Sequence, residues 1–176
     1  MNIPIFVKIF IDMRKVEFEP YVLGGEADVF TIKFSDEKLS ELDKFLIVFK
    51  DDQTLSIKSD LKSIFKTIEQ VVQKGAKESL FRYEGKMSDR VYAIPVFISE
   101  DNGKMKEGTL RLYCIRLSDR LLILGGGGKK ITRTYQEDRV LKGFVEILQI
   151  IDSRLMELER LGVNLEDELC NLSIEI

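Results

Sequence analysis

The sequence predicts an α+β fold, in which a helical hairpin packs on an antiparallel sheet, with an N-terminal β extension and a long C-terminal helix. Three observations support it: two adjacent segments with helical spacing of apolar residues, three later segments with strand patterns, and a long amphipathic stretch. The 176 residues suffice to bury one core. We expect a single domain, with an N-terminal extension over 1–28, a core over 29–151 and an acidic C-terminal extension over 152–176.

Strands are expected within the first 34 residues. The apolar residues Ile5, Val7, Ile9 and Ile11 alternate along the chain, as is typical of a strand. The segment 29–34 is β-branched and aromatic, which predicts a further strand. The N-terminus lacks the basic start and the small-residue cleavage site of a signal peptide, so we expect a cytoplasmic protein.

Two helices joined by a short loop are predicted next. Ser35 is a candidate N-cap of the first helix, and Ser56 or Ser59 is a candidate N-cap of the second. Gly75 is expected to end the second helix in a left-handed conformation. Their apolar residues at helical spacing are Leu39, Leu42, Phe45, Leu46, Phe49, Leu61, Ile64, Phe65, Ile68, Val71 and Val72.

The second half of the chain is predicted to form a three-stranded antiparallel meander and a final helix. Segments 91–98, 109–117 and 121–124 have strand patterns, and Pro95 favours an edge position for the first of them. The final helix is expected to end at Gly162. Its apolar stripe consists of Leu141, Phe144, Val145, Leu148, Ile151, Leu155, Leu158 and Leu161.

The composition excludes several kinds of chemistry. The chain contains no histidine, which removes Ser-His-Asp and Cys-His catalysis and zinc sites that need histidine. Two cysteines, Cys114 and Cys170, are too few for a disulfide framework or a four-cysteine metal site, and we expect both thiols to be free. No carboxylates show the spacing of a metal site, so we expect no metal and no cofactor. No uncharged apolar window is long enough to cross a membrane.

The charge is unevenly distributed along the chain. The formal net charge is −3, but residues 104–139 contain nine basic and four acidic residues, a local charge of +5. Residues 140–176 contain three basic and eight acidic residues, a local charge of −5. A basic segment can bind a polyanion locally, although segregated surface charge without a function is an equally open interpretation.

Four consecutive glycines, Gly125–Gly128, precede Lys129 and Lys130. A phosphate-binding P-loop would need a glycine where Ile123 stands and Ser or Thr directly after its lysine, so this motif is absent. The glycines could still let a polyanion or another chain approach the backbone, or form an anion-binding nest. The alternative is a flexible turn or a bulge at the rim of the sheet.

A second cluster combines cations and phenols. Strand alternation places Arg111 and Tyr113 on one face, with Arg116 near the strand end. A guanidinium and a phenol on a sheet suit an RNA phosphate and could assist attack by a 2′-hydroxyl. The alternative is a half-buried Tyr113 beside a surface Arg111. The other candidates are Arg82, Lys129, Lys130, Arg133 and Tyr135.

The order of these elements resembles the RelE/ParE superfamily of type II toxin–antitoxin toxins, in particular its HigB-like, phage-derived branch. The similarity covers roughly residues 29–151. It depends on the strand Leu110-Arg111-Leu112-Tyr113 and on the apolar strand 121–124 followed by glycine and Lys129-Lys130. The chain departs from the family in its length, its acidic character and its glycine run.

The resemblance implies a small curved antiparallel sheet and a metal-independent mRNA endonuclease. It implies that Arg111, Lys129 and Lys130 are phosphate-binding or catalytic cations, which Arg82 could join, with Tyr113 or Tyr135 as an orienting group. Together with the residue cluster above, this leads us to expect catalysis by Arg111, Tyr113, Lys129 and Lys130 and RNA binding by Arg82, Arg116, Arg133 and Tyr135. The expected partners are an antitoxin protein and mRNA on the ribosome. The alternative is a non-catalytic protein-binding module of a phage or mobile element, and a phosphate-ligand enzyme using the glycines is a third hypothesis.

Overall fold

The computed structural model describes residues 13–99, 102–132 and 134–176. In these ranges the helices α1 to α4 are Glu41–Phe49, Leu55–Lys74, Arg139–Arg160 and Leu165–Glu168. The strands β1 to β9 are Lys15–Val22, Asp28–Phe34, Arg82–Tyr83, Val91–Ile94, Phe97–Ser99, Met105–Glu107, Leu110–Ser118, Leu121–Lys129 and Ser173–Glu175. Short 3-10 turns occupy Glu78–Leu80, Tyr135–Glu137 and Leu169–Asn171. The predicted α+β class is confirmed.

The main sheet contains seven strands in the order β3-β4-β7-β8-β2-β1-β9, while β5 and β6 form a separate hairpin. The predicted meander is present as the antiparallel strands β4, β7 and β8. It belongs to a larger, mixed sheet, because β2 runs parallel to β8, with Asp28 opposite Leu121 and Thr31 opposite Leu124. The predicted strand 91–98 is divided into β4 and β5, and Pro95 lies between them.

The two faces of the sheet are covered by different helices. On one face α1 and α2 pack through residues such as Phe45 and Ile64 against Leu112 and Leu122 of the sheet. On the other face α3 packs through residues such as Leu148 against Tyr113 and Ile123. Alternation along β7 and β8 thus divides their side chains between two cores.

The helical hairpin is present, but its first helix starts later than predicted. Ser40, not Ser35, is the N-cap of α1, since the Ser40 hydroxyl and the Asp43 carboxylate form a reciprocal capping box. The Ser35 hydroxyl instead donates to Glu17 of β1 at 2.9 Å. The N-cap of α2 is Thr54 rather than either serine considered for it.

Glycines end the two long helices, as expected. Gly75 is the C-cap of α2 with φ +89°, and Gly162 follows the C-cap of α3 with φ +91°. Both angles fall in the positive range that residues with a Cβ rarely adopt. The ψ of 158° at Gly75 differs from the left-handed helical conformation that was predicted there.

The first and last strands of the described residues, β1 and β9, join the same sheet as the central strands. β1 pairs with β2 on one side and with β9 on the other. The position proposed as the start of the C-terminal extension, residue 152, lies inside α3. The predicted strand through Ile5 and Ile11 lies outside the described residues.

Candidate functional site

Five of the eight sequence-predicted site residues line one cavity of about 250 Å³ at the start of β7. They are Arg82, Arg111, Tyr113, Lys130 and Tyr135. Glu84, Thr134 and Gln136 complete its lining. The cavity therefore brings together three cations, two phenols and one carboxylate, which gives it a positive charge balance.

Neighbouring strands and one turn position these side chains. Arg111 and Tyr113 are two residues apart on β7 and therefore face the same way, as predicted. Arg82 belongs to the edge strand β3, and Lys130 follows the last residue of β8. The backbone N–H of Lys130 donates to the carbonyl of Thr109 at 2.7 Å, which holds the exit of β8 against the start of β7.

Arg111 is the most buried cation of the cavity, with 2% of its surface exposed. Its Nη1 donates to the carbonyl oxygens of Gly108 at 2.8 Å and Leu110 at 2.7 Å. A buried guanidinium needs such partners, because an unsatisfied donor away from water is costly. Arg111 is thus not the surface residue of the alternative interpretation, and two carbonyls define its orientation.

The two phenols are neutral hydrogen-bonding groups at neutral pH. Tyr113 and Tyr135 meet edge to face, with 6.3 Å between ring centroids and an interplanar angle of 65°. Burial raises the pKa of both, and the nearby charge of Glu84 raises the pKa of both further. The Tyr135 hydroxyl donates to the backbone carbonyl of Glu84 at 2.8 Å.

Glu84 is a site residue that the sequence reasoning missed. Its side chain is 10% exposed, and its Oε1 lies 3.3 Å from Nε of Arg82. Arg82, Glu84, Arg111 and Lys130 each make a further interaction within the protein, so none of these charges stands alone. Alternation from Arg82 to Glu84 was the available signal, since it places both on one face of an extended segment.

Three predicted residues are not among those lining the cavity. Lys129 is exposed and lines an apolar groove instead, because consecutive strand residues face opposite ways. Arg116 lies five residues after Arg111 on β7, which separates the two by about 17 Å along the strand. It donates through Nε to the carbonyl of Ala76 at 2.6 Å and pairs with Asp119. Arg133 lies outside the described residues.

The glycine run forms part of β8 rather than a loop or an anion nest. The register between β7 and β8 shifts within the run, between the pairs Leu112–Gly127 and Cys114–Leu124, as a bulge would give, but β8 lies inside the sheet and not at its rim. A Cβ on Gly125 would come within 2.8 Å of Leu148, and a Cβ on Gly126 within 2.4 Å of the Phe144 ring. A Cβ on Gly127 would lie 2.0 Å from the backbone oxygen of Arg111. The glycines therefore permit close packing of α3 and β7 against β8.

An apolar groove of about 330 Å³ lies beside the glycines. Val48 of α1 and Val140 of α3 line it and are 65% and 66% exposed. Its other lining residues are Glu41, Lys44, Phe45, Phe49, Gly126, Gly127, Gly128, Lys129 and Phe144. This surface offers hydrophobic contact rather than phosphate binding.

In residues 13–99, 102–132 and 134–176, no group of three or more His, Cys, Asp or Glu side chains is arranged to hold a metal ion. No helix in these ranges has the length and apolar character needed to cross a membrane. No family model matches the chain, and neither a curated protein nor a solved structure is significantly similar to it.

Proposed function

We propose that this protein is an RNA-cleaving toxin of the RelE/HigB type, which acts in the cytoplasm on mRNA as part of a type II toxin–antitoxin pair. The observation that supports the proposal is the convergence of Arg82, Arg111 and Lys130 with two phenols and Glu84 around one cavity. Guanidinium and ammonium groups bind phosphate oxygens strongly, and the phenol of Tyr113 adds a neutral donor, since the Tyr135 hydroxyl already donates to Glu84. This set of groups can bind and activate a phosphodiester.

The proposed reaction is transfer of the phosphodiester to the neighbouring ribose hydroxyl. Glu84 accepts the proton of the 2′-hydroxyl, whose oxygen forms a bond to phosphorus. Arg82 and Arg111 stabilise the charge on the non-bridging oxygens. The bond from phosphorus to the 5′-oxygen breaks, and that oxygen takes a proton from Lys130. The products are a 2′,3′-cyclic phosphate and a 5′-hydroxyl, and proton exchange with water restores Glu84 and Lys130.

Glu84→Gln tests the reaction because it keeps the shape of the side chain and removes the base. With mRNA in a purified translation system, we expect cleavage to slow about a hundredfold, the usual contribution of a general base. An RNA with a 2′-deoxyribose at the cleaved position should stay intact. Glu17→Gln is the matched control, because Glu17 is a strand carboxylate that contacts Ser35 of a distant turn.

The proposal fails if the wild-type protein does not cleave mRNA or if Glu84→Gln cleaves as fast as wild type. Cleavage of the 2′-deoxy substrate would also reject attack by the 2′-hydroxyl. Mass spectrometry of the RNA products shows whether cleavage occurred and which chemical groups the new ends carry.

The second candidate function is a non-catalytic protein-binding module of a phage or mobile element. The apolar groove with the exposed Val48 and Val140 favours it, because such a surface suits the apolar side of a partner helix, such as that of an antitoxin. Val48→Asp with Val140→Asp should abolish co-purification with the product of a neighbouring gene. Unchanged co-purification would reject the groove as the interface.

A further inference from the structure

A buried carboxylate lies on the opposite side of β7 from the cavity. Asp60 of α2 is fully buried, and its Oδ2 accepts from the backbone N–H of Thr109 at 2.7 Å and of Leu110 at 2.9 Å. The Thr109 hydroxyl donates to the same oxygen at 3.1 Å. Oδ1 has no hydrogen-bond partner in the part of the chain that the structure describes. Three donors on Oδ2 compensate the burial of this carboxylate, because a buried charge without such partners is costly.

The backbone that Asp60 holds also contacts Arg111 and Lys130, two cations of the cavity. The carbonyls of Gly108 and Leu110 accept from Nη1 of Arg111, and the carbonyl of Thr109 accepts from the N–H of Lys130. One carboxylate oxygen thus fixes a three-residue segment from which Arg111 and Lys130 take their positions. Asp60 itself is not among the residues that line the cavity.

Gly108 lets this segment lie directly against Asp60. An added Cβ on Gly108 would be 2.5 Å from Oδ1 of Asp60 and 2.6 Å from Cγ1 of Val96. Real Cβ atoms do not approach other atoms so closely, so a side chain here would push the segment away from the carboxylate. Gly108→Ala therefore offers a second way to loosen residues 108–110, without mutating Asp60.

We propose that Asp60 is a positioning residue for the anion site: it holds the backbone of residues 108–110 so that Arg111 and Lys130 meet a phosphate in the cavity. The role toward phosphate rests on the proposed function, whereas the ordering of Arg111 stands independently of it. The effect passes through backbone hydrogen bonds. An effect of charge alone has the opposite sign, because removing a nearby negative charge strengthens anion binding.

The test is a titration of the full-length protein with inorganic phosphate. We expect Asp60→Ala to weaken phosphate binding about tenfold, the effect of losing one hydrogen bond to a charged group. Asp60→Asn keeps an accepting oxygen and should stay within about threefold of wild type. Asp152→Ala is the matched control, because Asp152 is also a fully buried helical carboxylate but accepts from Arg90. It should lower stability without weakening phosphate binding.

A second measurement separates the inference from the proposed function. The Nε–H signal of Arg111 in nitrogen-15 NMR spectra should exchange with water at least about tenfold faster in Asp60→Ala and in Gly108→Ala than in wild type. If wild type binds no phosphate, the proposed function fails, but this signal still decides whether Asp60 orders Arg111.

Three results would overturn the inference. The first is an unchanged Arg111 signal in both Asp60→Ala and Gly108→Ala. The second is a loosened Arg111 with unchanged phosphate affinity, and the third is tighter binding in both Asp60 variants. If Asp60→Ala does not fold, Gly108→Ala alone gives the decision, and an unchanged Arg111 signal in that variant overturns the inference.

Discussion

The polar cavity and the apolar groove lie near the same end of β8 and differ in nearly every respect. Charged and phenolic side chains such as Arg111 and Tyr135 line the cavity, whereas glycines, valines and phenylalanines dominate the groove. Lys129 and Lys130 are adjacent in sequence, yet Lys129 lines the groove and Lys130 the cavity. The two consecutive lysines at the end of β8 therefore belong to two separate features, because the alternation of the strand continues into Lys130 and directs them to opposite faces.

The cavity and the groove also depend on opposite properties of the strands that form them. The cavity depends on side chains that project from the strands around it. The groove region depends on missing side chains, since Gly125 and Gly126 leave room for Leu148 and Phe144 of α3. Variants that add a side chain to one region or remove one from the other test this contrast.

The largest effect is expected from a side chain added to the glycine run. In Gly127→Ala the new Cβ would lie 2.0 Å from the backbone oxygen of Arg111, and a backbone atom cannot rotate away. We expect the free energy of unfolding to fall by about 3 kcal/mol, as for severe overpacking. Urea denaturation followed by circular dichroism measures the change.

Gly143→Ala in α3 is the matched control for this variant. No atom lies within 4 Å of its added Cβ, so alanine should raise the free energy of unfolding by about 0.5–1 kcal/mol through helix propensity. Equal stability of Gly127→Ala and wild type would show that β8 and β7 are not packed as described.

The fold could be predicted where local patterns determine structure. The spacing from Leu61 to Val72 and from Leu141 to Leu161 predicts helices that are both present. The parallel pairing of β2 with β8 could not be predicted, because it joins segments that are distant in the chain and that local periodicity does not relate. The N-cap at Ser40 was missed because Ser35 also precedes acidic residues that suit a first helical turn.

The candidate site was predictable to the extent that it depends on strand alternation. The shared face of Arg111 and Tyr113 follows from their spacing, and the cavity contains both. The convergence of Lys129 with Lys130 was wrong because β8 continues through the glycines to Lys129, and the register shift within the glycines lies before the lysines. Alternation places Glu84 on the same face as Arg82, but a lone carboxylate has no sequence pattern that marks it as a site residue.

The contrast between the two lysines predicts different effects on phosphate binding. Lys130→Ala should weaken binding of inorganic phosphate about tenfold, because it removes a charged partner from the cavity. Lys129→Ala should stay within about twofold, because only screened, long-range attraction is lost at an exposed position. Isothermal titration calorimetry at low salt compares the two, and equal losses would contradict the separation of the two regions.

The smallest effect is the pH dependence of stability that comes from the Tyr113 hydroxyl. The Tyr113 side chain lines the cavity and packs in the core under α3. Burial raises its pKa above the ordinary value, and the unfolded chain releases this proton near pH 10. Below pH 10 both states keep the proton, so the stabilising effect is complete. As the pH rises further, the unfolded state ionises first, and each pH unit lowers the free energy of unfolding by up to about 1.4 kcal/mol until the folded state ionises too.

Tyr113→Phe removes this contribution, so its stability should fall less steeply than that of wild type between pH 10 and pH 11, by about 1 kcal/mol over the interval. The slope should not vanish, because burial also raises the pKa of Tyr92 and Tyr135. Urea denaturation at pH 9, 10 and 11 compares the two proteins. If the free energy of unfolding falls equally steeply with pH in Tyr113→Phe and in wild type, the phenol of Tyr113 is open to water. The claim that Tyr113 is a buried neutral donor in the cavity would then be wrong.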